Sequence, residues 1–80
     1  MNIKIKLFAT TREFVGKNEL NIQVENPCTV QTIIEDLKQK YPKLEQMNSF
    51  LIAVNMEYAQ SHTLVSDGDV IAIIPPVSGG

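Results

Sequence analysis

Five consecutive apolar residues, Val70-Ile71-Ala72-Ile73-Ile74, followed at once by Pro75-Pro76, constrain this chain more than any other feature. A run without polar alternation suits a strand that is covered on both sides or set in the middle of a sheet. The two prolines bring no amide hydrogen and hold φ at about −65°, so they end the strand and lead the backbone out stiff and extended. Just upstream, Asp67-Gly68-Asp69 marks a tight turn, because glycine takes φ values other residues resist and the aspartates can bond nearby amides. The sequence therefore predicts a central last strand entered from a turn and left through an extended tail over 75–80.

The remaining elements must build the sheet around that strand. Ile3, Ile5 and Leu7 alternate with Lys4, Lys6 and Phe8, a period of two that reads as a half-buried strand. Ala9 to Val15 suits a short helical turn stopped by Gly16. Leu20, Ile22 and Val24 alternate with Asn21, Gln23 and Glu25, which predicts a second strand antiparallel to the first. Asn26-Pro27 breaks it, and Thr29 is placed to cap a helix with its side-chain oxygen. Val30, Ile33, Ile34, Leu37 and Tyr41 fall on one helical face while Gln31, Glu35, Lys38 and Gln39 face water, and Pro42 stops the helix. Lys43 to Ser49 reads as polar and turn-like, Phe50 to Val54 as a short apolar strand, and Asn55-Met56-Glu57 as a turn into a brief strand around Tyr58. A right-handed return through the helix sets the last strand parallel to the first. This order predicts an α+β fold, the ubiquitin-like β-grasp: a mixed sheet with one main helix packed on one face.

Eighty residues suffice for a single domain, 1–80, because so short a chain buries only about 60% of its unfolded surface and cannot divide that between two cores. A concave enzyme pocket of its own is not expected. Seven Lys and Arg residues are spread along the chain without the dense basic stripe that nucleic acid requires, and the net charge of −2 suggests no polyanionic ligand. No continuous apolar segment reads as a signal peptide or a membrane span. Cys28 is the single cysteine, so an internal disulfide and a multi-cysteine metal site are both excluded, and a reducing cytoplasm fits best.

The final residues, Pro75-Pro76-Val77-Ser78-Gly79-Gly80, carry the chemistry that the rest of the chain lacks. Gly79 and Gly80 have no side chains, which lets a terminal carboxylate pass down a narrow channel in another protein. Loose glycine-rich ends are common, yet two glycines in the last two positions arise by chance in only roughly 0.5% of chains, and here they follow one short spacer after a last strand. A carboxylate with a pKa of about 3.5 is an anion at neutral pH and resists nucleophiles until it is activated. Joined to AMP it becomes a mixed anhydride with a good leaving group, and a sulfur nucleophile then yields a terminal thiocarboxylate. No Ser, His or Cys constellation is needed for this, and none is found.

Phe8-Ala9-Thr10-Thr11-Arg12-Glu13-Phe14-Val15-Gly16, Ala53-Val54-Asn55, Asp67-Gly68-Asp69 and the closing Pro75-Pro76-Val77-Ser78-Gly79-Gly80 resemble the small, sulfur-carrier subunits of molybdopterin synthase, the MoaD family, along the whole chain. The resemblance implies that an adenylating enzyme activates the Gly80 carboxylate with ATP and that a sulfurtransferase system supplies the sulfur. The thiocarboxylated tail would then enter a large subunit and give its sulfur to cyclic pyranopterin monophosphate, building the molybdopterin dithiolene. It further implies a heterotetramer of two small and two large subunits, with the active site on the large subunit and no cofactor or metal held by this chain. Carried over residue by residue, Gly80 is the reactive group, Gly79, Ser78, Val77, Pro76 and Pro75 thread the tail, and Phe8, Arg12 and Ile74 are candidate docking residues. The family often places an aromatic residue where Ile74 stands.

Alternative readings remain at this point. A thiamine-type sulfur carrier shares the fold and the Gly-Gly end, although such chains tend to lack the Phe-Ala-x-x-Arg-Glu segment. A protein modifier would join Gly80 to lysines of its targets, and a plain binding module would carry the tail incidentally. Cys28 precedes a helix start, where a thiol pKa can fall, but an inert small side chain is the favoured reading. His62 has no second ligand at metal spacing, and Glu35-Asp36 lies on the water-facing side of the helix.

Overall fold

A computed structural model describes residues 1–46 and 50–75. The elements run β1 (Asn2–Leu7), α1 (Ala9–Val15), β2 (Glu19–Gln23), α2 (Val30–Lys40), a 3-10 turn (Pro42–Gln46), β3 (Leu51–Val54), β4 (Glu57–Tyr58) and β5 (Val70–Ile74). They form a five-stranded sheet in the order β2-β1-β5-β3-β4. β1 pairs antiparallel with β2 and parallel with β5, while β3 is antiparallel to both β5 and β4. The expected β-grasp topology is thus present, with β5 at its centre.

Local chemistry explains the boundaries. α1 ends at Gly16, whose φ of 85° is the left-handed value a helix C-terminus favours and glycine adopts without a Cβ clash. α2 starts at Thr29, whose hydroxyl accepts the Thr32 amide at 3.3 Å. It ends before Pro42, and Lys38 and Lys40 in its last turn complement the helix dipole. The segment read as polar turn tightens instead into the 3-10 turn, because Leu44 is buried and anchors it to the core. Residues 47–49 of that segment lie outside the described residues.

Alternation decides which side of each strand is covered. Ile3, Ile5 and Leu7 of β1, Leu20 of β2, and Ile71 and Ile73 of β5 turn to the inner face, where Val30, Ile33 and Leu37 of α2 meet them. Ile5, Ile33 and Ile71 are completely buried. Of the two settings the apolar run allows, β5 takes the mid-sheet one: it is central, and Val70, Ala72 and Ile74 stay half-buried on the outer face. Central placement accounts for their hydrophobicity along the strand edges, but no element lies over them among the described residues.

Candidate functional site

The outer face of the sheet divides in two. On the β2–β1 side it presents Glu19, Asn21, Gln23, Lys4 and Lys6, all polar, with Lys4 Nζ 3.8 Å from Glu19 Oε2. On the other side it presents Val70, Ala72 and Ile74 of β5, Leu51 and Ala53 of β3, and Tyr58 of β4, placed there by the pairs Leu51↔Ile74, Ala53↔Ala72 and Ala53↔Tyr58. Leu51 is 48% exposed and Tyr58 76% exposed. Leu7 pairs with Ile73, so Phe8, one residue on, comes level with Ile74. Phe8 is 45% exposed. Phe8, just past the end of β1, with Ile74 of β5 and Leu51 of β3 therefore form an apolar row beside the point where Pro75 leaves the sheet.

α1 holds that end in place. Phe8 precedes the helix but has no side-chain acceptor with which to cap it. Thr11 substitutes: its Oγ1 accepts the Phe8 amide at 2.9 Å, while the Thr11 amide donates to the Phe8 carbonyl at 3.1 Å. The same hydroxyl, fully buried, lies 2.7 Å from the Phe8 carbonyl and 3.3 Å from that of Ile73. Thr11 thus links Phe8 to the β5 backbone at Ile73, one residue before the strand ends. The sequence alone does not reveal this role of Thr11, since a threonine inside a helix gives no sign of where its hydroxyl points.

The other end of β5 is held by Asn55. Its amide donates to the Val70 carbonyl at 2.8 Å, its Oδ1 accepts the Val70 amide at 3.0 Å, and its Nδ2 donates to Asp69 Oδ1 at 2.9 Å. Asp69 Oδ2 in turn accepts the Ser66 amide at 2.7 Å, and Asp67 Oδ1 the Asn2 amide at 2.6 Å. The Asp-Gly-Asp turn, with Gly68 at φ 85°, is therefore a docking point for β1 and β5 as well as a turn.

Among the other candidates, Arg12 is exposed and lines a shallow recess of about 260 Å³ with Phe8, Lys6 and Glu19. Pro75 is half-buried at the strand end. Pro76, Val77, Ser78, Gly79 and Gly80 lie outside the described residues. Cys28 is buried, and burial, aided by the nearby Asp36 carboxylate, pushes its thiol pKa up, opposite to the lowering a helix start can bring. His62 is exposed, and the described residues hold no cluster of His, Cys, Asp and Glu able to bind a metal. Nor is any described helix long and apolar enough to cross a membrane.

Residues 5–80 match the ThiS family. The chain belongs to that family. Along its full length it is 38% identical to the molybdopterin synthase sulfur carrier subunit of Arabidopsis thaliana, of which it covers 84%. Small archaeal modifier protein 1 from Methanosarcina acetivorans superposes with a TM-score of 0.83 at 33% identity, covering 99% of this chain and 96% of that one. Subunit 1 or 2 of the Helicobacter pylori molybdopterin-converting factor complex superposes with a TM-score of 0.72 at 25% identity over all of both chains. The resemblance to the molybdopterin synthase small subunits and the β-grasp fold are both borne out. This ThiS-family member ends its central strand beside an apolar row that no element covers among the described residues.

Proposed function

We propose that this protein is the sulfur carrier subunit of a molybdopterin synthase, with the Gly80 carboxylate as its working group. The observation that carries the reading is the 38% identity, along this chain's full length, to the Arabidopsis thaliana carrier subunit. An adenylating enzyme uses ATP to join AMP to the Gly80 carboxylate, releasing pyrophosphate. A sulfur nucleophile supplied by a sulfurtransferase system displaces AMP and leaves the thiocarboxylate. The tail, Pro75 to Gly80, then enters a large subunit and gives up its sulfur to cyclic pyranopterin monophosphate, and water restores the carboxylate. The chain holds no cofactor in this scheme and works in a reducing cytoplasm.

The apolar row of Phe8, Ile74 and Leu51 supports the scheme physically. Docking there buries hydrophobic surface beside Pro75, so the same contact that stabilises the complex also aims the tail. A complex of subunits 1 and 2 is the arrangement named for the Helicobacter pylori protein. Intact-mass spectrometry of protein from its own host tests the central step: a fraction about 16 Da heavier, mapping to the last peptide, marks oxygen replaced by sulfur. Deleting Gly79 and Gly80 abolishes sulfur transfer while leaving the fold intact; retention of transfer by that variant rules the proposal out.

The likeness to the Methanosarcina acetivorans modifier protein favours a second reading, in which Gly80 also forms amide bonds with lysines of other proteins. That reading requires slower-migrating conjugates in cells that disappear with the same deletion. The carrier reading alone requires mainly the free protein.

A further inference from the structure

Among the described residues, β2 forms one margin of the sheet and is bonded only to β1. The Leu7 amide donates to the Asn18 carbonyl and the Val24 amide to the Met1 carbonyl, each at 2.9 Å. Bonded and non-bonded pairs alternate along an antiparallel ladder. With Ile5 opposite Leu20 and Ile3 opposite Ile22, residues 18, 20, 22 and 24 use their backbone groups on β1. Glu19, Asn21 and Gln23 therefore turn their amides and carbonyls outward. The strand has no proline and its register runs without a bulge, so two common blocks to edge pairing are missing.

We propose that this edge pairs with its own counterpart on a second copy of the chain, antiparallel about a two-fold axis through Asn21, so that two five-stranded sheets become continuous. Outward-turned residues must face one another, and charge then selects among the permitted registers. Centred on Asn21, Glu19 stands opposite Gln23 of the second copy and Leu20 opposite Ile22, while Lys17, in the bend before β2, and Glu25, just past its end, come to adjoining positions, each pair occurring twice. Centring on Ile22 would oppose Glu19 to Glu25, two like charges. Centring on Leu20 shortens the ladder and gives Lys17 an uncharged neighbour. Lys17 and Glu25 are exposed and have no ion-pair partner among the described residues, whereas Glu19 already has Lys4.

The inner side of the edge fits the same arrangement. Leu20 and half-buried Ile22 line a groove of about 350 Å³ with Leu37 of α2 and Tyr41 just past its end, flanked by Lys17 and Lys40. Pairing sets Leu20 and Ile22 of the second copy at the mouth of this groove. Ile74 and Leu51 of the apolar row lie on β5 and β3, away from the β2 edge, and Phe8 shares only a recess with Glu19, so the inference stands apart from the sulfur-carrier reading.

Sedimentation equilibrium from micromolar to millimolar protein tests it. The wild-type chain passes from monomer to dimer over that range, and added salt weakens the dimer. Lys17→Glu and Glu25→Lys each raise the dissociation constant about tenfold, because two attractions become two repulsions. The double variant Lys17→Glu/Glu25→Lys restores the wild-type constant, which no effect on folding would do. Asn21→Pro, which removes an outward amide, abolishes the dimer, with circular dichroism confirming the fold. A wild-type chain that stays monomeric at millimolar concentration overturns the proposal, even if the edge accepts a strand from another protein. So does a dimer indifferent to the charge reversals.

Discussion

Thr11 and Ile73 meet across 62 positions of chain: the Thr11 hydroxyl lies 3.3 Å from the Ile73 carbonyl oxygen in a fully buried setting. With its closer contacts to Phe8, this hydroxyl ties the start of α1 to the end of the central strand, immediately before the tail begins.

Thr11→Val keeps the shape and removes the hydroxyl. It leaves the Phe8 amide without its side-chain acceptor and removes the single hydroxyl proton that the Phe8 and Ile73 carbonyls share. Stability should fall by about 1–3 kcal/mol, the range for buried polar groups stripped of a partner. Chemical denaturation measures the loss, and amide exchange should show it concentrated at Phe8 and Ile74. An unchanged midpoint would mean that the hydroxyl is not holding this joint.

The apolar row should separate binding from folding. Ile33→Ala removes a completely buried side chain and should cost about 2–5 kcal/mol of stability. Leu51→Ala, at a side chain 48% exposed, should cost about 1 kcal/mol or less, yet weaken binding to the large subunit at least about tenfold. Calorimetry of binding beside denaturation of the free chain gives both values. If Leu51→Ala binds as tightly as wild type, the partner docks elsewhere.

Much of this architecture was legible in the sequence because it rests on local signals. Alternation in β1 and β2, the Thr29 cap, the Gly16 stop and the Asp67-Gly68-Asp69 turn each follow from one residue's geometry or one short period. Burial of β5 was legible only in part. An unbroken apolar run tells that a strand is central, but the same letters serve for a face hidden by a helix and one left for a partner. Phe8 posed a similar problem, since core and interface both favour a phenylalanine. The grip of Asn55 on Val70 joins residues 15 apart and depends on tertiary placement. Leu44 was read as part of a polar turn because one apolar residue in a polar segment has no period to reveal it.

Cys28 should behave as an inert thiol. Burial, then the charge of Asp36, raises its folded pKa above the unfolded value, so the folded chain keeps the thiol proton where the unfolded chain has begun to lose it. Its contribution to stability is full below the unfolded pKa, about 8.5, and is lost as pH rises from there through the higher folded value. A thiol reagent at neutral pH should react with folded protein far more slowly than with urea-unfolded protein. Cys28→Ser should flatten the alkaline fall in stability. Equal labelling rates in the two states would contradict the burial.

The β3–β4 hairpin offers the cleanest way to raise stability. Asn55 and Met56 form its two-residue loop, with φ of 51° and 71°, the pattern of a type I′ turn. Asparagine tolerates the left-handed region and earns its place through Val70 and Asp69. Met56 has neither excuse: its side chain is 98% exposed, and its Cβ is strained against the backbone. Met56→Gly removes the strain and loses no packing, but frees the unfolded chain somewhat. Thermal unfolding should show a net gain of about 0.5–1 kcal/mol. Met56→Val, with branching at Cβ, should instead destabilise, since a β-branched side chain fits a positive φ worst. If glycine and valine there give the same stability, the turn is not type I′.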